Sequence, residues 1–143
     1  MTAIPAFSAP SATTARAAKL PVAARGALIT LGIYVAISIV GIVQVYDLRG
    51  DVGRSTRDLL DIIIWITAAM IFTMVAAGAA LAAKRTATPL AVLSAIMLGL
   101  HIYSLRNGLN PAQLVSLVIV MVLVVQLRNR AVIHFFRARK ANR

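Results

Sequence analysis

Striking out every Asp, Glu, Lys and Arg leaves four long stretches without formal charge: Gly26 to Tyr46, Ile62 to Ala83, Thr86 to Leu105 and Asn107 to Leu127, of 21, 22, 20 and 21 residues. A helix needs about 20 such residues to cross about 30 Å of hydrocarbon, and each stretch has that length. One stretch of this kind could be a buried core helix. Four in series, covering 84 of 143 positions, point instead to lipid as the solvent. The composition agrees. A hydrophobic share of 60% and a charged share of 13% stand against roughly 45–50% and a quarter in soluble domains, which excludes both a disordered chain and an ordinary water-soluble globule. The expected fold class is all-α, a four-span transmembrane helical bundle.

Three regions follow from this division. Residues 1–25 are a basic N-terminal segment rich in Ala, Ser, Thr and Pro, with its first 15 residues expected to be disordered. Residues 26–127 form the transmembrane domain, and residues 128–143 a basic amphipathic tail. The first apolar stretch is longer than the roughly 7 to 15 residues of a cleaved signal peptide, so it reads as an uncleaved signal anchor. Helix starts are marked by local chemistry. Ser55-Thr56-Arg57-Asp58 has the spacing of a capping box. Thr88-Pro89 and Asn110-Pro111 each place a capping side chain before a proline that needs no amide hydrogen in a first turn. The first helix is less clearly marked and is expected to begin between Pro21 and Gly26.

Charge placement sets the expected orientation. All four acids, Asp47, Asp51, Asp58 and Asp61, lie in or beside the first interhelical loop, together with Arg49, Arg54 and Arg57. With a cytoplasmic N-terminus, that loop and Arg106 face outward with four Arg against four Asp, and the whole +11 lies inside. Counting Lys and Arg alone, the split is 11 against 4, so the positive-inside rule makes both termini cytoplasmic. Alanine richness and 12 Arg to 3 Lys suit a high-GC bacterial genome, and the expected location is the bacterial inner membrane.

Helices associate in lipid through close backbone approach, because a Leu gains no hydrophobic free energy on leaving lipid for protein. The expected packing rows are Gly32 and Ala36 on the first helix, Ala69, Thr73 and Ala77 on the second, and Ala91, Ala95 and Gly99 on the third. The fourth is nearly continuous Leu, Val, Ile and Met from Leu114 to Val125. It is expected to face lipid or a partner and to continue through Arg128 and Arg130 towards Phe135 and Phe136. In the tail, Val132, Phe135 and Phe136 recur at i, i+3 and i+4 among cations. Arg128, Arg130, Arg137, Arg139 and Lys140 are therefore expected to contact anionic headgroups at the cytoplasmic face. Nucleic acid is not an expected partner, since no binding module accompanies the charge.

Mid-membrane charges, which would mark an ion path, are missing from all four stretches. Polar residues cluster instead at one depth near the outer leaflet: Gln44, Asp61, His101, Tyr103 and Gln113. They could form a small polar pocket in which Asp61 polarises His101, or each could solvate itself at the interface with Arg57 pairing Asp61 at i, i+4. No catalytic residue, metal site or cofactor is expected. The chain has no cysteine, hence no thiol chemistry; it shows no phosphate loop or zinc motif. Its second histidine, His134, lies in the tail, away from His101. Small multidrug exporters share the size and span count but rely on a membrane-embedded glutamate, and this chain has no Glu. In size, lack of catalytic groups and basic tail it resembles phage holins in general form, which would imply a pore former. The leading expectation is a non-enzymatic membrane protein acting by association, as an accessory or scaffold subunit or a homo-oligomer, with lipid and other subunits or itself as partners. A holin-like pore or small channel is the alternative.

Overall fold

A computed structural model describes residues 19–107 and 111–141, except the side chain of residue 107. The segment 1–15 expected to be disordered, Arg16, the capping Asn110 and Arg143 lie outside the described residues. The described chain is all-helical: α1 (Val22–Leu48), α2 (Arg54–Ala82), α3 (Thr88–Ser104), α4 (Pro111–Leu127) and α5 (Arg130–Ala141), with short 3-10 turns at Arg49–Asp51 and Leu105–Asn107. Helices α1 and α2, of 27 and 29 residues, are long and apolar enough to cross a membrane. Helix α4 reaches that length only when joined to α5 across a bend of 49°. Helix α3 is apolar but has 17 residues, about 26 Å at 1.5 Å per residue. Two helices, or three with the bent pair, are therefore candidate spans by length and composition. The uncharged stretches look more equal than the helices because they include turn residues: Thr86 and Ala87 precede α3, and Leu105 enters a 3-10 turn.

The helix ends differ from expectation in ways that backbone geometry explains. Gly53, extended at φ −64° and ψ 162°, is the N-cap of α2, so Ser55 is already inside the helix and the capping box does not form. At α3 the N-cap is Ala87, and the hydroxyl that meets the helix start belongs to Thr86, whose Oγ1 accepts the Thr88 N–H at 3.2 Å. Helix α2 ends in a Schellman turn: Lys84 N–H donates to Leu81 O and Arg85 N–H to Ala80 O, both at 2.9 Å, with Lys84 at φ 55°.

Helix α1 packs against both α2 and α4, α4 also packs against α3, and the α2–α3 seam is the thinnest. Thr30 near the start of α1 donates to Gln126 Oε1 near the end of α4 at 3.0 Å. Leu31 lies against Gly78 near the end of α2. Both neighbours therefore run antiparallel to α1. Buried Ala24, Ala27, Leu31, Met74, Leu81, Leu90, Leu123 and Leu127 all come from the helix halves next to the basic segments. There, small residues let backbones approach: a Cβ on Gly78 would meet the Leu31 methyl. The bundle is tight at this basic end and splayed at the other.

Two expectations about the fourth helix are corrected. It is no lipid-facing outrider, since Val120, Leu123 and Leu127 are buried. Nor does it continue through Arg128 and Arg130: the helix breaks at Arg128 and Asn129, where Asn129 Oδ1 accepts the Ala131 N–H at 2.9 Å and so caps a new helix. Val132 is then fully buried and Phe136 packs against the core, so part of the apolar face of α5 is spent on the bundle.

Candidate functional site

Splaying of the four helices opens a cavity of about 650 Å³ at the end that carries the acidic loop. Its walls come from the second half of α1 (Ile37, Ser38, Gly41, Gln44), the first half of α2 (Ile63, Thr67, Met70), the end of α3 (Met97, His101, Ser104) and the start of α4 (Gln113, Ser116). Branched side chains such as Ile37, Val40, Ile63 and Ile64 line this half, whereas the basic half buries Ala24, Ala27 and Gly78 between its leucines.

The cavity wall brings together three of the five polar residues expected at this depth: Gln44, His101 and Gln113. Asp61 is committed elsewhere. Its Oδ2 accepts from Arg49 Nη2 at 2.8 Å, with both side chains about a third exposed, because the 3-10 turn at Arg49–Asp51 folds the chain back over the second turn of α2. It therefore pairs with neither His101 nor Arg57. Tyr103 points outward, 64% exposed, and the Arg106 guanidinium lies 5.8 Å from its ring centre. Sequence reasoning missed Ser38, Thr67, Ser104 and Ser116. The signal was available, since Ser104 and Ser116 each follow a polar wall residue at i+3, the spacing of one helix face.

Chemically the wall is apolar with scattered hydrogen-bonding groups. Ser38 and Thr67 hydroxyls donate to the carbonyls of Tyr34 and Ile63 one turn back, and Ser104 to that of His101, each at 2.8 Å. Those protons are occupied within their own helices. Gln113 Oε1, by contrast, is enclosed without a hydrogen-bond partner among the described residues. At the boundary between cavity and core, the rings of His101 and buried Tyr34 meet at 6.3 Å between centres, tilted by 43°. No group of three His, Asp or Glu side chains able to hold a metal ion occurs among the described residues.

The expected packing rows lie mostly outside the bundle. Ala77 is buried and Ala91 packs partly against the core, whereas Gly32, Ala36, Ala69, Thr73, Ala95 and Gly99 are exposed. A Cβ built on Gly32 or Gly99 would meet nothing within 4 Å. At the basic end, Arg128, Arg130, Arg137 and Lys140 are exposed, while Arg139 is half-buried with Nη1 enclosed and without a hydrogen-bond partner among the described residues. Compared with protein-family models, curated proteins and solved structures, the chain matches none.

Proposed function

We propose that this is an integral protein of the bacterial inner membrane that crosses the bilayer four times with both termini cytoplasmic, and that acts by association, as an accessory subunit or a homo-oligomer, rather than by catalysis. The observation that carries the reading is the open Gly32–Ala36 row on α1. Inside the bundle, small residues stand where helices touch: Gly78 against Leu31, Gly26 against Gln126. The Gly32–Ala36 row has the same character and no neighbour, and Ala69 and Thr73 on α2 repeat it. Rows of this kind let a second helix approach closely, the main source of helix affinity in lipid.

Four spans are supported by the segregation of all four acids to one end of the bundle, and by the flanking arginines. Short α3 and α4 fit a bilayer through local thinning and through Arg106 and Arg128 reaching the headgroups, each at modest cost. Association is favoured over conduction by one chain because the cavity stops at the tightly packed basic half. The test is purification in mild detergent with mass determination, comparing wild type with Gly32→Leu. A stoichiometric assembly that dissociates in the variant, while the variant keeps its helicity, supports the proposal. A wild-type monomer without companions, or membrane depolarisation on overexpression, overturns it in favour of a solitary or pore-forming protein.

A further inference from the structure

The bend between α4 and α5 creates a second concavity, of about 490 Å³, between the start of α3, the end of α4 and α5. Its floor is apolar, with Ala91, Val92 and Ala95 on one side and Val124 on the other, and Arg128 and Arg137 also line it. Both arginines are exposed, and no acid occurs anywhere in the chain beyond Asp61. Along α3 the trough runs from Ala87 to Ala95, about 12 Å of helix rise. It thus offers an apolar channel with two guanidiniums and no acidic side chain among its described lining residues.

We propose that this groove holds one anionic phospholipid, its phosphate between Arg128 and Arg137 and one acyl chain along Ala91 and Ala95. The inference rests on the membrane-spanning reading and deepens it, replacing general attraction of a basic tail with a discrete site. Three features favour lipid over a soluble anion or a peptide. Arginine matches phosphate in charge and hydrogen-bonding geometry. The arginines border an apolar trough, as head and tail of one amphiphile require. Two of the α3 residues that line the trough, Ala91 and Ala95 one turn apart, are alanines, so a flexible chain fits where a larger helix side chain would otherwise stand.

Native mass spectrometry of the detergent-purified full chain, titrated with dioleoyl phosphatidylglycerol or dioleoyl phosphatidylcholine, tests the site. Wild type should retain a single phosphatidylglycerol in preference to phosphatidylcholine. Arg128→Gln with Arg137→Gln should lower that affinity about thirtyfold, two cations at roughly 1 kcal/mol each. Arg130→Gln with Lys140→Gln removes the same charge from positions outside the groove and should leave binding within a factor of about two, being beyond direct contact. Ala95→Leu should weaken binding with both arginines intact. Equal loss in the two double variants, no effect of Ala95→Leu, or displacement by inorganic phosphate would overturn the proposal. Carbonate extraction of the same wild-type membranes separates the two failures: a chain that washes off refutes the membrane reading, and a retained chain that binds no phosphatidylglycerol refutes the groove alone.

Discussion

Gly78 offers the sharpest test of how the tight half of the bundle is built. A Cβ at this position would collide with Leu31 Cδ2, and Leu28 Cδ2 lies 3.9 Å from the same point, so the displaced methyl has little room. Leu31 itself is 5% exposed. Overpacking of this kind costs about 1–3 kcal/mol, while replacing Gly by Ala inside a helix gains about 1 kcal/mol. Gly78→Ala should therefore destabilise by roughly 1 kcal/mol net. Leu31→Ala alone loses contacts and leaves a void, about 2–5 kcal/mol. In the double variant the clash has gone and the helix gain remains, so it should be about 1 kcal/mol more stable than Leu31→Ala, a coupling of about 2 kcal/mol. Reversible unfolding in mixed micelles, followed by helical circular dichroism, measures all four proteins. Additivity within about 0.5 kcal/mol would show that Gly78 and Leu31 do not share the space and would refute the close approach of α1 and α2 at this level.

The remaining predictions concern orientation and the helix ends. Because the chain has no cysteine, single replacements report cleanly: in intact cells an impermeant maleimide should label Ser55→Cys and should reach Ala138→Cys only after permeabilisation, and the opposite pattern would invert the proposed topology. Asp61→Asn should cost less than about 1 kcal/mol, since a pair this exposed gains little from its charges; a loss above about 2 kcal/mol would mean that the loop anchors the bundle. Lys84→Gly should raise stability by about 1 kcal/mol in the same micelle assay by removing left-handed strain at φ 55°, and a lower stability would show that the lysine side chain outweighs that strain.

Much of the helical fold was legible because charge is costly in apolar surroundings and therefore marks where the apolar stretches stop. The apolar cores of α1 and α2 follow from the uncharged stretches, but their ends do not: Arg25 and Asp47 lie inside α1, and Arg57, Asp58 and Asp61 lie inside α2. What the charge pattern conceals is the difference between an uncharged residue and a helical one, hence the equal stretches and the unequal helices. Packing faces were harder. The rule that small residues mark contacts holds at Gly78, Gly26 and Ala77, and a single sequence has no means of separating those from Gly32 and Gly99, which have the same composition around them but no neighbour. The break before α5 was hidden for a similar reason: Arg128, Asn129 and Arg130 read as helix continuing to the headgroups, and only the Asn129 cap and the burial of Val132 show the turn. At the cavity, position along each helix told which end of the bundle a residue occupies, but not its direction, and Tyr103 and Asp61 are the two whose side chains point elsewhere.

The division of the bundle into a tight half and a splayed half links these observations. The fully buried residues Ala24, Ala27, Met74, Leu81, Leu90, Leu123 and Val132 sit at the basic end, so the contacts that define the native arrangement are made there. At the other end the same four helices part around the cavity and are joined mainly by turns, the Arg49–Asp61 pair and the Tyr34–His101 ring contact. Side chains around the cavity can therefore change without removing the packing that orders the helices, and Ser38, Thr67 and Ser104 already satisfy their hydroxyls locally. A rigid base with an adaptable rim lets side chains at the splayed end rearrange at little cost to the fold.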